Sequence, residues 1–163
     1  MTIAVVWLED GQLWAAADTR ISSAANQGSN TPQVLSDNGP KLFKVPIIVK
    51  GPGPSGFFDQ VVLSTAIGFA YAGSMQTALA THALVSSVFQ SLICPQEKVP
   101  SFKELVAFVE SMARKYIREW GRLSPSNCDF SVILFGFCHV NRQLTAYTLV
   151  LCHKHLNLRM PRI

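Results

Sequence analysis

Thr2 and the residues that follow it contain groups capable of nucleophilic catalysis. Removal of Met1 would make Thr2 the N-terminal residue, with a hydroxyl nucleophile and a free α-amine in one residue. An α-amine has a pKa of about 8, so near neutral pH an appreciable unprotonated fraction can act as a general base without any histidine. Thr2 is therefore a candidate nucleophile that carries its own base.

A nucleophile of this kind needs further groups around it. A nearby cation lowers the pKa of the amine and favours the developing alkoxide, and a carboxylate keeps that cation in place. Lys41 and Asp18 are the candidates for these two roles. Gly73 is the candidate for the oxyanion hole, because its backbone N–H permits close approach and it precedes a predicted helix, whose N-terminal dipole favours negative charge.

These candidates lie at the ends of predicted strands. Two apolar runs flank Glu9-Asp10-Gly11, whose Asp-Gly pair favours a type I′ β-hairpin. The polar stretch over residues 21–39 is interpreted as a binding loop, and the Pro- and Gly-rich residues 51–56 as an insertion or lid. The predicted strands cover residues 3–8, 12–17, 41–49, 66–72, 130–138 and 144–152.

Two predicted helices separate the earlier strands from the last two. Apolar residues recur at helical spacing over residues 75–89, with Ser74 as the N-cap. A second helix begins with the capping box formed by Ser101 and Glu104 and ends near Gly121 and Pro125. Strands, two adjacent helices and then strands again predict the α+β class, with helices on the face of a sheet.

Composition limits the class of protein further. A length of 163 residues suits one domain, and 48% hydrophobic against 15% charged residues predicts surface that is buried between subunits.

No apolar run is long enough to span a bilayer, so we expect a cytoplasmic protein without a membrane partner. The four cysteines show no CxxC spacing, and neither a disulfide, a metal nor a cofactor is expected. Much of the net charge of +4 comes from the last residues, so no nucleic-acid partner is expected.

The N-terminal motifs resemble the proteasome β-subunit family of N-terminal nucleophile hydrolases, which includes the bacterial two-component protease subunit. In that family a mature N-terminal threonine is followed sixteen residues later by the aspartate of an Asp-Ser/Thr-Arg triplet. Here the interval from Thr2 to Asp18 is 18 − 2 = 16, and the triplet is Asp18-Thr19-Arg20. The register therefore matches without a gap.

Two later segments extend the resemblance. Residues 40–44 resemble the segment that opens with the catalytic lysine of the family, where Lys41 matches better than Lys44. Residues 71–74 resemble the Ala-Gly turn whose glycine N–H forms the oxyanion hole, here Gly73. The residue before that turn, Tyr71, corresponds to a position that lines the specificity pocket. Ser22 falls where the backbone of the family pairs with an extended substrate.

The resemblance implies a four-layer αββα sandwich and a threonine-type peptidase or amidohydrolase that forms an acyl-enzyme. It implies a homo-oligomeric ring, a peptide or amide substrate and an ATPase as regulatory partner. The catalytic positions implied are Thr2, Asp18, Lys41 and Gly73, and the substrate-binding positions are Arg20, Ser22 and Tyr71.

The C-terminal part of the chain departs from the family pattern. We expect one domain over residues 1–152 and a basic tail over 153–163, with the last strands and helix of the family missing. A serine that the family places near the third strand of the sheet is matched by either Asp129 or Ser131. The alternative hypothesis is therefore a catalytically inactive or truncated subunit of the same fold with a role in assembly.

Overall fold

The computed structural model describes residues 3–22, 33–95, 98–124 and 127–152. Nine strands and two helices are assigned in these ranges. In chain order they are β1 (Ala4–Glu9), β2 (Gln12–Ala17), β3 (Ile21–Ser22), β4 (Val34–Ser36), β5 (Leu42–Gly51), β6 (Gln60–Gly73), α1 (Met75–Phe89), β7 (Leu92–Ile93), α2 (Phe102–Leu123), β8 (Phe130–Cys138) and β9 (Gln143–Leu151).

The largest sheet is mixed. Its strand order is β7-β5-β6-β8-β9, in which β7 runs parallel to β5 and every other neighbouring pair is antiparallel. With two helices packed against this sheet, the α+β class predicted from the sequence is confirmed.

The connection between β5 and β6 differs from the prediction. β6 spans Gln60–Gly73 rather than 66–72, because it pairs with β5 along almost its whole length. Residues 52–59 are the loop that joins these two strands, and the Gly53 N–H donates to Phe57 O at 2.7 Å to close it. The interpretation of residues 51–56 as an insertion or lid is therefore wrong: they belong to a hairpin at the far end of the sheet from Lys41.

The core lies between the sheet and the helices. Alternate residues of each strand face the helices, so they are fully buried while their neighbours are only half-buried, as the two-residue period of a strand requires. On β5 these residues are Val45, Ile47 and Val49, and on β8 they are Phe130, Val132 and Leu134.

The first two strands form the predicted hairpin. Asp10 and Gly11 both have positive φ, at 51° and 71°, as a type I′ turn requires. The register sets Trp7 opposite Trp14, and their rings stack with centroids 6.5 Å apart. The hairpin contacts β5, β6 and β8. Because the helices occupy one face of these strands, the hairpin lies over the other.

The two helices begin at the predicted caps. Ser101 and Glu104 form both hydrogen bonds of the capping box at the start of α2. The Ser74 hydroxyl accepts from the Thr77 N–H at the start of α1. Within the described ranges, neither helix combines the length and the apolar character that crossing a membrane requires.

Candidate active site

Asp18 links the start of the chain to Lys41. It follows β2, where the hairpin brings the chain back beside Ile3. One carboxylate oxygen of Asp18, Oδ1, accepts from the Ile3 N–H at 2.8 Å, and the Asp18 N–H donates to Ile3 O at 3.0 Å. The other oxygen, Oδ2, accepts from Lys41 Nζ at 2.8 Å. One carboxylate therefore holds both a backbone amide and an ammonium.

Lys41 is a buried cation. Its side chain is only 3% exposed, and it lies just before β5. Burial of an ammonium is costly unless the charge is paired and hydrogen-bonded. Lys41 meets this requirement by donating to the Asp18 carboxylate and to the Arg20 carbonyl oxygen. Lys44, the other lysine considered from the sequence, is exposed on β5.

The carboxyl group of Asp18 titrates below its usual range. The hydrogen bond from Lys41 is the largest cause of its lowered pKa, and the hydrogen bond from the Ile3 N–H adds to it. Desolvation opposes these effects without reversing them. Asp18 is consequently ionised at neutral pH and suited to hold the Lys41 ammonium.

Gly73 ends β6 immediately before α1. Its φ of +101° is a conformation that side chains disfavour. It lies opposite Phe130 in the ladder between β6 and β8, and the next N–H, that of Ser74, donates to Asp129 O at 2.9 Å. Pairs of an antiparallel ladder alternate between hydrogen-bonded and not hydrogen-bonded. The Gly73 N–H therefore points away from β8.

The same alternation relates Gly73 to Lys41. The Tyr71 N–H also points away from β8, and it donates to Lys41 O at 3.1 Å. The Gly73 N–H thus points to the same side of β6, roughly 7 Å further along the strand. A backbone donor at this position, next to the N-terminus of α1, can bind an anion.

The three predicted substrate-binding residues have different positions. Arg20 is on the surface, where its Nε donates to Asp37 Oδ1 at 2.8 Å, while its carbonyl is held by Lys41. Ser22 is exposed on β3 and paired with Val34 of β4. Tyr71 is only 1% exposed in the core, so the structure does not bring its ring to an open pocket.

Burial raises the pKa of Tyr71, whose ring stacks on Phe43 and whose hydroxyl lies 3.4 Å from Pro40 O. These contacts are with residues that flank Lys41 in the chain. Tyr71 therefore packs behind the segment that carries Lys41.

Asp129 and Ser131, the two alternatives left by the sequence, also differ in position. Asp129 is in the turn that contacts Gly73, and its Oδ2 accepts from the Cys152 thiol at 2.9 Å. Ser131 is opposite Ala72 in the ladder between β6 and β8. Of the two, Asp129 is the residue whose backbone bonds to the turn after Gly73.

Sequence reasoning missed Asp37. Its carbonyl accepts from the Thr19 hydroxyl at 2.6 Å and its carboxylate binds Arg20. The Gly39 N–H donates to Thr19 O at 2.7 Å. These contacts fasten residues 37–39 to residues 19–20, two positions before Lys41. The only signal in the sequence is the turn-forming Ser36-Asp37-Asn38, which does not indicate a partner.

Several predicted residues fall outside the described ranges: Thr2, residues 23–32 of the predicted binding loop, Pro125 and the tail over 153–163. Thr2 is joined to Ile3 through the peptide bond whose N–H donates to Asp18. Within the described ranges no cluster of three or more His, Cys, Asp or Glu residues could hold a metal ion.

The fold and the site together define an α+β protein. In it the Asp18 carboxylate holds the buried ammonium of Lys41 and also binds the backbone N–H of Ile3. Among solved structures this chain is similar to Anbu, the ancestral beta-subunit from Yersinia bercovieri, with a TM-score of 0.58 and 16% sequence identity. The match covers 98% of this chain and 56% of that chain, so this chain spans little more than half the length of its neighbour.

At this level of identity the similarity shows the fold alone. No family model matches the chain, and no curated protein matches it significantly. The identification of the chain with the proteasome β-subunit family is therefore wrong, because the matching motif intervals are not accompanied by a family match.

Proposed function

We propose that this chain is an N-terminal threonine hydrolase that cleaves a peptide or amide bond through an acyl-enzyme. The observation that carries the proposal is the Asp18 carboxylate, which binds the Ile3 N–H and the Lys41 ammonium at 2.8 Å each. The Ile3 N–H belongs to the peptide bond that joins residue 3 to Thr2. A fixed cation and the first peptide bond of a processed chain are thereby held together by one side chain.

The proposed reaction begins once Met1 has been removed. The free amine of Thr2 takes the proton of the Thr2 hydroxyl, and the hydroxyl oxygen attacks the carbonyl carbon of the substrate. The Lys41 ammonium lowers the pKa of the amine and stabilises negative charge on the attacking oxygen. The Gly73 N–H donates to the oxyanion of the tetrahedral intermediate.

The second half of the reaction releases the products. The amine of Thr2 returns its proton to the leaving nitrogen as the amide bond breaks, which leaves the acyl group on the threonine oxygen. Water, deprotonated by the same amine, then attacks the ester and restores the free hydroxyl. No cofactor takes part in this proposal.

An extended peptide is the substrate class we propose. β3 pairs with β4 on one side, and within the described residues no strand pairs with its other edge. Such an edge can add an extended peptide through main-chain hydrogen bonds. Ser22 would supply part of that edge, Arg20 would hold β3 through Asp37, and Tyr71 would support the pocket from behind.

The proposed enzyme works as a cytoplasmic homo-oligomer, arranged as a ring and regulated by an ATPase. Support comes from the outer face of the hairpin, where Trp7 and Trp14 are 42% and 50% exposed. Large aromatic side chains are usually covered in a finished assembly. We propose that a fourth layer, completing an αββα sandwich, and neighbouring subunits cover this face.

The first test is chemical. Intact-mass spectrometry should show loss of Met1, because one additional residue would move the amine about 3.8 Å along the chain. This displacement would take the amine out of the roughly 2.6–3.2 Å reach of a general base. Complete retention of Met1 in the purified protein would be incompatible with the mechanism.

The second test uses Thr2→Ala with Thr2→Ser as the matched control, assayed on a panel of fluorogenic peptides and amides. Thr2→Ala should abolish turnover because it removes the nucleophile, whereas Thr2→Ser keeps a hydroxyl and should retain part of the activity. Equal turnover by Thr2→Ala and the parent would favour the alternative of an assembly subunit that does not catalyse.

A further inference from the structure

A cavity of about 320 Å³ lies at the end of the sheet remote from Lys41. It is bounded by the end of β5, by β7 and by the facing ends of α1 and α2. Its apolar lining includes Val49, Val88, Phe89, Leu92, Leu105 and Phe108. Val49 is seven residues beyond Leu42 on β5, so the cavity is roughly 23 Å from the candidate active site.

Two opposite charges lie at the rim of this cavity. Lys98 and Glu104 both line it, and both are exposed. The Glu104 carboxylate accepts from the Ser101 N–H and hydroxyl at 2.7 Å each. These hydrogen bonds lower the pKa of Glu104, with a smaller contribution from Lys98, so the group is ionised at neutral pH.

The charge of Lys98 helps to lower the pKa of Glu104, although the two side chains do not form an ion pair. Among the ion pairs found within the described residues, none joins these two side chains at 4.0 Å or less. Their charges are therefore available to a ligand that carries one charge of each sign. Such a ligand would satisfy both groups at once, whereas a simple acid would be repelled by Glu104 and a simple amine by Lys98.

The volume limits the size of the apolar part. A water molecule takes up about 30 Å³ in the liquid, so the cavity has room for roughly ten nonhydrogen atoms. Ligand cavities typically combine apolar walls with a few polar groups that fix orientation, and this one has that character. The side chain of leucine or of phenylalanine fits within this limit.

We propose that this cavity binds a free, zwitterionic amino acid with a large apolar side chain. The side chain occupies the cavity, the carboxylate faces Lys98 and the ammonium faces Glu104. The inference does not depend on the proposed hydrolase, because no residue of the cavity belongs to the candidate active site.

The test is a titration of the full chain with L-phenylalanine by calorimetry or ligand-observed NMR. Two analogues separate the charges: 3-phenylpropionate lacks the amine and phenethylamine lacks the carboxylate. We expect phenylalanine to bind more tightly than either analogue, with a Kd of about a millimolar because the ligand is small.

Two variants assign each charge to its partner. Lys98→Met should weaken phenylalanine and 3-phenylpropionate about two- to fivefold, as loss of an exposed ion pair does, and should not weaken phenethylamine. Glu104→Gln should weaken phenylalanine and phenethylamine to the same degree and should not weaken 3-phenylpropionate. Glutamine also occurs at this position of a capping box, so α2 keeps its N-terminal cap.

A third variant tests the cavity itself. Val88→Phe places four more nonhydrogen atoms in the space and should abolish binding without lowering the melting temperature. Val140→Phe, in the exposed turn between β8 and β9, is the matched control and should bind normally. The proposal is overturned if phenylalanine shows no saturable binding up to its solubility limit, if Val88→Phe binds as the parent does, or if the two charge variants weaken all three ligands equally.

Discussion

Replacement of Gly73 by alanine should destabilise the protein more than the same replacement of Gly56. Both glycines have a positive φ, but only Gly73 is closely surrounded by other atoms. Gly73 has a φ of +101°, which a residue with a Cβ adopts only with strain. A Cβ added there would lie 2.7 Å from Asp129 O and 2.9 Å from Phe130 Cα. Both atoms belong to the backbone, so no side chain can rotate to relieve the overlap.

The expected magnitude has two parts. A positive φ costs an L-residue about 1–2 kcal/mol. Relief of the overlap requires β6 to separate from β8 beside the hydrogen bond from Ser74 to Asp129, and the loss of one such bond costs about 1 kcal/mol. The sum is about 2–3 kcal/mol, which corresponds to a fall in melting temperature of about 4–12 °C for a chain of this length.

Gly56→Ala is the matched control for this measurement. Gly56 has a φ of +81°, and an added Cβ would meet no atom within 4 Å. It therefore carries the conformational cost without the overlap, about 1–2 kcal/mol. Urea unfolding of both variants and the parent, followed by circular dichroism, gives the difference between the two substitutions directly.

This reasoning would be refuted if the two alanine variants were destabilised equally. If Gly73→Ala and Gly56→Ala lower the free energy of unfolding by amounts within about 0.5 kcal/mol of each other, backbone crowding at Gly73 is not significant. Residues 129 and 130, at the start of β8, would then not approach the end of β6 as closely as the structure shows.

Two further predictions concern the ends of β2 and α2. Asp18→Asn should lower the free energy of unfolding at pH 7 by about 1.5–3 kcal/mol, as loss of a hydrogen bond to a charged group does. Because Lys41 holds the folded pKa of Asp18 below its usual value of 3.8, this contribution is present above pH 3.8 and is lost as the pH falls through the folded pKa. The deficit of Asp18→Asn should therefore narrow in urea titrations below that pH, and a deficit constant from pH 7 to pH 3 would contradict it. Ser101→Ala should cost about 0.5–2 kcal/mol through loss of the N-cap of α2, measured in the same assay, and an unchanged midpoint would argue against the cap.

The sequence predicted local structure well because local structure depends on neighbours in the chain. The Asp10-Gly11 pair determines the turn of the first hairpin, and the Ser101 and Glu104 capping box determines where α2 begins. Gly73 was correctly expected between a strand and a helix for the same reason. Each of these signals is contained within a few residues.

Features that depend on contacts between distant segments were not accessible in this way. One such feature is the pairing of β7 with the far end of β5, and another is the cavity beside that pair. Both form only when segments that are distant in the chain come together in the tertiary fold. The contact of Asp37 with Thr19 spans eighteen residues and has no periodic pattern. Matching intervals between Thr2, Asp18 and Arg20 also proved insufficient to identify a family, because short motifs contain too little information without a match along the chain.

Lys41 explains why the candidate site and the fold depend on the same contacts. Its ammonium binds Asp18 after the hairpin, its carbonyl oxygen accepts from Tyr71 on β6, and its position in the chain is the start of β5. The hairpin meets the large sheet mainly through side chains, so this ion pair is a directional link between them. A substitution of Lys41 would therefore alter the position of the hairpin relative to Gly73 as well as remove a charge. Under the proposed mechanism, loss of activity in such a variant would have two causes, and Asp18→Asn, which keeps the cation, is needed to separate them.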